Sequence, residues 1–507
     1  MASRRDEQTF LLVAILIGIY SGLAVVTFRL GIDWIRLTLA GGSLEPTHGR
    51  VLLVPAIGGL VVATLVVLLF PTVRGSGVNQ TKAALYIYDG YISMRTVVGK
   101  FMTSALAIGS GQSLGPEDPS LQVGAGLASA LGRVLKLPRE QLRFIAPVGA
   151  AAGLAAAFNS PITAVLFVIE EVIGRWSAGV LGAVVLSAVA SVVTEQWFLG
   201  DEPLFRVPTY HLVHAAELLA YAVLGLIGGA VSLVFVKLVT HLRPRMRALP
   251  PWTWYIQPAI AGLFVGAIGL QFPQVMGAGY EYIDRAMHDE YGWRVLAELC
   301  ALKVVATTAS FVSGTPGGLF APTLFIGAML GGAVCAIERQ IAPTITGPIG
   351  AYALVGMGTL FAGILRAPIT SVFMIIEVSG NYSIILPVMI SNTVAYLVSR
   401  RFQRHALFDV LARQDGTELP SMEEEREADA RSVEHVMRPA EGLTLSADEA
   451  MLLADARAAR VYLYPDQSLD TALRVLRGRP LVPVLHRADA QRLVGVVALD
   501  DVLGESS

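Results

Sequence analysis

The sequence predicts an all-α polytopic membrane protein that carries a small α/β domain near its C-terminal end. The 507 residues are 54% hydrophobic and only 15% charged, with a mean hydropathy of +0.59. That composition is far too apolar for a soluble protein of this size. Several apolar segments are long enough to cross a bilayer, and the composition becomes that of a soluble domain after Arg401. The net charge of −2 gives no support for nucleic-acid binding.

The first apolar segment, Phe10–Phe28, follows Arg4 and Arg5. It is long enough to span a bilayer and lacks a small-residue cleavage site, so it is predicted to be a retained helix and not a signal peptide. Basic residues on its N-terminal side predict a cytoplasmic N-terminus.

Later apolar segments are of two kinds. Uninterrupted candidates for membrane spans are Val51–Phe70, Ser177–Thr194, Ala216–Val236 and Trp254–Leu270. Others are interrupted: Asn159-Ser160-Pro161 breaks Phe144–Ile169, Pro316-Gly317-Gly318 precedes Leu319–Ile337, and Arg366-Ala367-Pro368 separates Tyr352–Leu365 from Ile369–Ile376. Broken helices are tolerated in a bilayer where their free backbone groups line a cavity.

Two motifs of the first half recur in the second. Pro161-Ile-Thr-Ala-Val-Leu-Phe-Val-Ile-Glu170 matches Pro368-Ile-Thr-Ser-Val-Phe-Met-Ile-Ile-Glu377, and Gly115-x-x-x-Pro119 matches Gly318-x-x-x-Pro322. Both pairs are separated by roughly 205 residues, which indicates two related halves, about 10–200 and 210–414. Such halves are typical of transporters whose substrate binds near the bilayer midplane.

Three helix starts are candidates for an anion site: Gly75-Ser76-Gly77, Asp118/Pro119 and Leu319/Phe320. Free N–H groups at helix N-termini bind anions, and Ser76 can add a hydroxyl donor. The structural alternatives are a flexible Gly-Ser-Gly turn and a helix capped by Asp118, with Glu117 exposed in a loop.

The C-terminal part is predicted to contain an acidic linker, 415–431, followed by a soluble domain, 432–507. The linker contains Glu423-Glu424-Glu425. Ser468 to Leu476 is predicted to be helical, and Leu481-Val-Pro-Val and Leu493-Val-Gly-Val-Val are predicted strands. Upstream, Cys300 and Cys335 lie in apolar segments and are predicted to be buried free thiols, not a disulfide or metal site.

The motifs together resemble the CLC family of chloride channels and chloride/proton antiporters. They are Gly75-Ser76-Gly77, Gly115-x-Glu117-x-Pro119, Gly318-Leu319-Phe320-Ala321-Pro322, and the segment from Ala150 to Pro161 that continues to Glu171. The resemblance covers residues 10–414, the transport domain 1–414. It implies inverted halves, a homodimer in the lipid bilayer with one anion pathway per subunit, a multi-pass location in a prokaryotic plasma membrane, and chloride and protons as the transported ions, with no cofactor.

The resemblance also assigns roles to residues. Ser76 and the backbone N–H groups of Leu319 and Phe320 would hold the central chloride, and Ser76 favours chloride, with bromide and nitrate as substitutes. Glu117 falls on the gating glutamate, which occupies the anion site when ionised and leaves it when protonated. Glu171 falls on the internal proton-transfer acid, whose presence favours an antiporter; the alternative is a passive chloride channel. Structurally, Glu170 and Glu171 could instead be a pair at a helix end bonded to Arg175.

The sequence departs from the family in three places. Pro116 and Asp118 flank Glu117 where the family has Arg and Gly, so Asp118 either points into the anion path and repels anions or caps a helix. Val78-Asn79 follows Gly77 where a proline is usual after the apolar residue. Phe408, with Leu407 as the alternative, replaces the tyrosine that completes the family's central site.

The tail resembles a CBS module. Its motifs are Ser468-Leu-Asp-x-Ala-Leu, Leu481-Val-Pro-Val and Gly495-Val-Val-Ala498-Leu-Asp-Asp501, and a truncated copy lies at Val433 to Arg460. Such modules occur in pairs and often bind adenine nucleotides. Ala498 replaces a hydroxyl of the ribose contact while Asp501 remains, so a cytoplasmic regulatory or dimer-stabilising domain is expected, with adenine nucleotide as its candidate ligand.

Two other classes of function were weighed. Gly111-x-Ser113-x-Gly115 fits a hydrolase pattern, but this pattern requires a histidine partner and a preceding strand, and the surrounding segment is apolar and helical. We therefore predict that the protein is not an enzyme. A membrane scaffold or sensor driven by the tail would leave the repeat and its helix starts unexplained.

Overall fold

The computed structural model describes residues 4–41, 48–174, 178–201, 204–205, 214–344, 346–420, 432–440, 447–459, 461–487 and 489–503. The chain forms two compact units, Met1–Leu419 and Pro420–Ser507. The first unit extends beyond residue 414 because Asp415 accepts a hydrogen bond from Arg243 Nη2 at 2.8 Å.

The described residues in the first half of the membrane unit form eight α-helices. They are α1 (Arg4–Ala40), α2 (His48–Leu68), α3 (Gly77–Tyr86), α4 (Met94–Gly109), α5 (Glu117–Val134), α6 (Arg139–Phe158), α7 (Pro161–Phe167) and α8 (Ala178–Leu199). A π-helical turn, Val168–Ile173, continues α7.

The second half repeats this order of helices. It contains α9 (Glu217–Arg247), α10 (Gln257–Gly269), α11 (Tyr280–Met287), α12 (Trp293–Val312), α13 (Phe320–Ile341), α14 (Ile349–Leu365), α15 (Pro368–Ser379) and α16 (Ile385–Phe402). A further helix, α17 (Leu407–Gln414), follows. Within the described ranges, eight helices are long and apolar enough to cross a membrane.

One predicted span is wrong. The segment Trp254–Leu270 contains the 13-residue helix α10, which begins only at Gln257. Trp254 belongs to a separate 3₁₀ turn, Pro251–Tyr255. Pro258 in the first turn of α10 suits a helix start and not a helix interior, so the helix is too short to cross a bilayer alone.

The predicted helix breaks are confirmed in both halves. Helices α6 and α14 are followed by the C-cap residues Asn159 and Arg366. Both residues have left-handed backbone conformations, with φ of 51° and 58°. Each break is followed by a proline that starts the next helix, Pro161 or Pro368. Proline suits a first helical position because it has no N–H to leave unpaired.

Reciprocal contacts join the two halves. Gly115 N–H donates to Gly318 O at 2.8 Å, and Gly318 N–H donates to Gly115 O at 2.7 Å. Glu170 accepts from Thr370 N at 2.9 Å and thereby caps α15, the helix that carries Glu377. Glu377 accepts from Thr163 N at 2.8 Å and caps α7, the helix that leads into Glu170. Paired contacts of this kind are what a two-fold relationship between the halves produces.

Close helix packing also repeats. A Cβ atom added to Gly124 in α5 would lie 2.2 Å from Gly149 O in α6, and one added to Gly327 in α13 would lie 2.3 Å from Gly356 O in α14. These glycines allow the backbones of neighbouring helices to approach closely, as small residues do in membrane proteins. The predicted free thiols Cys300 and Cys335 are confirmed and buried.

The second unit contains a three-stranded antiparallel sheet in the order β1-β3-β2. Its strands are β1 (Arg438–Pro439), β2 (Leu481–His486) and β3 (Asp489–Ala498), and its helices are Val433–Val436, Ala447–Ala458, Leu469–Leu476 and Leu499–Leu503. The predicted helix and both predicted strands are confirmed.

Candidate functional site

Three helix N-termini converge in the interior of the membrane unit. Helix α3 starts after the N-cap Ser76, α5 starts at Glu117, and α13 starts after the N-cap Leu319. The backbone bonds between Gly115 and Gly318 bring α5 and α13 together. The first N–H groups of a helix have no acceptor within that helix, so this convergence produces a region of positive potential. The starts predicted for α3 and α13 are confirmed.

The carboxylate of Glu117 lies at the start of α13. Its Oε2 accepts a hydrogen bond from Ala321 N at 3.3 Å, and the side chain is fully buried. Among the described residues, no group donates to Oε1. Glu117 is therefore inside the site and not exposed in a loop. One of its oxygens accepts from an N–H group at a helix start, as an anion bound there would.

Asp118 caps a helix, but not its own. Because Pro116 already has helical backbone angles (φ −84°, ψ −13°), α5 begins at Glu117, two residues before the predicted first helical position, Pro119. The Asp118 carboxylate instead lies at the start of α3, where Oδ2 accepts from Gly77 N at 2.8 Å and Oδ1 accepts from Val78 N at 3.1 Å.

Asp118 also engages the hydroxyl group of the anion-site candidate Ser76. Ser76 Oγ donates to Asp118 Oδ1 at 2.8 Å. Both side chains are buried, and Lys100 Nζ lies 3.8 Å from Asp118 Oδ2. Lys100 donates to Gly75 O at 2.9 Å and lies 3.4 Å from Val73 O. This ammonium group therefore holds the turn at Gly75, whose φ of +93° favours glycine.

An aromatic cluster forms one wall of the site. The ring of Phe320 lies 5.0 to 6.2 Å, centroid to centroid, from those of Phe158, Phe167, Phe361 and Phe408. Of the two candidates for the family's tyrosine position, Phe408 is the one whose ring meets Phe320, at 6.2 Å, whereas Leu407 is the buried residue before it. The backbone oxygen of Phe408 accepts from Asn79 Nδ2 at 2.9 Å.

Glu171 belongs to a buried ionic cluster. Lys82 Nζ lies 3.0 Å from Glu171 Oε1 and 3.5 Å from Asp409 Oδ1. Glu171 is carried by the π-helical turn, a geometry that is frequent at functional sites. Its neighbour Glu170 caps α15. The predicted partner Arg175 lies outside the described residues.

Sequence reasoning missed Lys82, Lys100 and Asp409. A readable signal existed for the two lysines, because charged residues in apolar segments are costly and usually have a partner. Asp409 had no such signal, since it stands in a polar part of the sequence next to Phe408.

A cavity of about 440 Å³ lies next to the segment that carries Glu117, because Pro116 forms part of its wall. Arg29, Arg36 and Arg50 also line it. Arg29 bonds to Glu195 at 2.8 Å, and Arg36 bonds to Glu281 at 2.9 Å. Three arginine side chains thus line a cavity whose wall includes the residue before Glu117, although the family's arginine is absent from position 116.

Two further predicted positions have structural partners. The Ser113 hydroxyl of the hydrolase-like pattern pairs with the Thr307 hydroxyl at 3.0 Å. In the tail, Asp501 Oδ2 accepts from Ala498 N at 2.8 Å and from Arg438 Nε at 3.2 Å. The Asp501 carboxylate thereby fixes the junction between the last strand and the last helix.

Comparison with known proteins gives consistent matches. A family model described as "Voltage gated chloride channel" matches residues 58–400. The chain is 33% identical over 402 residues to a putative chloride channel protein ClcB-like of Ralstonia nicotianae, covering 77% of this chain and 93% of that protein. It is 30% identical over 404 residues to the H(+)/Cl(-) exchange transporter ClcA of Vibrio campbellii, covering 77% and 86%.

A solved structure matches the membrane unit as well. A slow cyanobacterial Cl-/H+ antiporter superposes with a TM-score of 0.74 at 24% identity, covering 80% of this chain and 97% of that one. At this identity, the likeness establishes the fold.

Proposed function

Because the chain belongs to the voltage gated chloride channel family, we propose that it is a chloride/proton antiporter in which the Glu117 carboxylate is the gate. The relatives named as exchange transporters support this reading. The observation that carries it is the buried Glu117 carboxylate at the N-terminus of α13, with one oxygen accepting from Ala321 N and the other without a donor among the residues that the structure describes. A carboxylate held this way is a tethered anion that a chloride ion can replace.

The exchange follows from the chemistry of that carboxylate. When ionised, Glu117 fills the positive region between α5 and α13 and keeps chloride out. Protonation removes the charge that holds it there, so the side chain leaves and chloride can bind. Proton binding and chloride binding are thereby linked at one side chain.

The chloride would rest against the first N–H groups of α13, at Leu319 and Phe320, with Ser76 and Phe408 beside it. These donors are dipolar and carry no full charge, so the ion is held loosely enough to leave. Phe408 supplies an apolar wall without a hydroxyl donor. The arginine-lined cavity beside Pro116 would concentrate chloride near the gate.

Protons would reach the gate by way of Glu171. Its position in a buried cluster with Lys82 and Asp409 supports this role, since ionisable groups inside a membrane protein mark ion and proton pathways. Lys82 lies beside the ionised Glu171 carboxylate. Glu171 would take up a proton from the gate and release it to water on the cytoplasmic side, or carry it in the opposite direction, and would then be ready for the next cycle.

We also infer a homodimer in the plasma membrane, with the N-terminus and the tail in the cytoplasm. Ile162 in α7, Phe373 in α15 and Leu386 in α16 are 53%, 41% and 60% exposed, so this surface is open to lipid or to a second copy of the chain. The tail would be a CBS-like regulatory domain, with adenine nucleotide as its candidate ligand through Asp501.

The test is chloride-driven proton uptake. Purified protein is reconstituted into liposomes loaded with high chloride, and external pH is followed as chloride leaves. An antiporter drives protons inward against their gradient, and the reversal potential shifts with pH. A passive chloride channel gives chloride current with no proton uptake, which would establish the alternative function.

A further inference from the structure

The hydroxyl proton of Ser76 is already used within the protein. Ser76 Oγ donates to Asp118 Oδ1 at 2.8 Å, and the same carboxylate takes the N–H groups of Gly77 and Val78. The carboxylate therefore occupies the N-terminus of α3 in the way that a bound anion would. The start of α3 is thus filled by Asp118, as the start of α13 is filled by Glu117.

The second half provides an internal control for this arrangement. Lys303 Nζ donates to Val275 O at 2.9 Å and to Gly277 O at 2.8 Å, which repeats the contacts of Lys100 with Val73 and Gly75. The residue after the turn is Ala278 where the first half has Ser76. The Gly-x-x-x-Pro motif places Ala321 where the first half has Asp118.

Comparing the two halves shows which contacts of the first half also form without Ser76 and Asp118. In the second half, a lysine clamp and a glycine turn form with alanine at both positions, and helix α11 starts after them at Tyr280. The lysine clamp and the glycine turn therefore require neither the serine nor the aspartate. In the first half, the Asp118 carboxylate brings a negative charge beside the proposed anion pathway, and Lys100 Nζ, 3.8 Å away, offsets part of the cost of burying that charge.

We propose that Asp118 is a specificity-determining residue that competes with the transported anion for the Ser76 hydroxyl. While the carboxylate holds this proton, the anion is bound by the amides of α13 and has no hydroxyl ligand from α3. This inference rests on the proposed anion site and refines it. It makes chloride binding weak and makes anion choice depend little on the residue at position 76.

The test compares Asp118→Asn in two backgrounds. Asparagine keeps the size of the side chain but removes the charge that attracts the Ser76 proton and repels an anion. Chloride binding to the purified protein, measured by calorimetry, is expected to tighten by roughly fivefold, the size of one hydrogen bond. In the Asp118→Asn protein, Ser76→Ala is expected to cancel this gain in chloride affinity. In the protein that retains Asp118, Ser76→Ala should lower the chloride affinity by a factor several times smaller.

Equal losses from Ser76→Ala in both backgrounds would overturn the proposal, because the two residues would then act independently. A second measurement needs only the wild-type protein. Crystals soaked in bromide should show an anomalous peak near Leu319 and Phe320 that is not in hydrogen-bond contact with Ser76 Oγ. A peak about 3.3 Å from Ser76 Oγ would also overturn it.

The antiporter proposal fails separately. If the liposomes show no proton uptake while chloride binding responds to Asp118→Asn and Ser76→Ala as expected, the protein is a channel and the competition between Asp118 and the anion is still supported. If proton uptake is normal and the losses are equal, only the competition is lost.

Discussion

In the first half of the membrane unit, a buried lysine holds a glycine turn next to Asp118 and Ser76. In the second half, an equivalent lysine holds an equivalent turn, and the positions that match Asp118 and Ser76 are Ala321 and Ala278. The same contrast recurs elsewhere. Glu170 and Glu377 cap each other's neighbouring helices in both halves, but Glu171 has Val378 as its counterpart and Glu117 has Phe320.

The difference shows which polar groups maintain the architecture. Groups that recur in both halves contact the backbone. The lysines donate to carbonyl groups, the glutamates accept from N–H groups at helix starts, and the glycines allow close backbone contact between neighbouring helices. Groups present in one half only, chiefly Glu117, Asp118 and Glu171, are acids near the proposed anion and proton pathways. An internal repeat thus supplies, within one chain, the control that a single sequence otherwise lacks.

The largest effect is expected for Glu117→Gln. Glutamine cannot take up or release a proton, so proton uptake should fall to the background of empty liposomes while chloride efflux stays intact or becomes faster. Glu377→Gln is the control, because Glu377 belongs to the repeated set, and it should retain coupling. Unchanged coupling in Glu117→Gln would indicate Asp118 as the gate.

The adjacent glutamates Glu170 and Glu171 should respond oppositely to the same substitution. Glu171→Gln should stop proton uptake and keep chloride efflux, because a proton carrier is removed. Glu170→Gln should keep coupling but lower the free energy of unfolding by about 1 kcal/mol, because it weakens a helix cap. Proton uptake and thermal unfolding of both variants check this, and intact pumping by Glu171→Gln would make Glu171 structural.

The two clamp lysines should differ in their effect on stability. Lys100→Met leaves the buried Asp118 charge without its cation and should cost about 3 kcal/mol, whereas Lys303→Met removes an ammonium whose two described acceptors are backbone carbonyls and should cost less. Denaturant unfolding in detergent measures both.

Adding Asp118→Asn should restore most of the stability lost in Lys100→Met, since the unpaired charge is then gone. A double variant as unstable as Lys100→Met would show that Lys100 acts only through the carbonyl groups of its turn.

The smallest effect is expected for Phe408→Tyr. The new hydroxyl adds one donor beside Phe320 and should tighten chloride binding by roughly threefold to fivefold. The control Phe402→Tyr places the same change on an exposed position of α16 and should leave the affinity unchanged. Equal affinities in all three proteins would mean that residue 408 does not reach the anion.

Much of the fold followed from local sequence features. Pro161 and Pro368 mark the breaks after Asn159 and Arg366 because proline restricts its own backbone. The repeat is visible as matching residues in the two halves. The short helix α10 was misjudged because an apolar run does not show that its first residues form a separate turn. The sequence also could not show which helix Asp118 caps, since α3 and α5 are brought together only by packing.

The paired amide bonds between Gly115 and Gly318 restrict how this molecule can move. A Cβ atom on Gly318 would approach Gly115 O to 2.9 Å, so the two backbone segments are in close contact where they pair. A carrier that rocks one half against the other would have to break and remake this junction in every turnover. Keeping it intact confines the motion to small displacements of individual side groups, so the cycle would be limited by local rotations and not by the rearrangement of whole helical bundles.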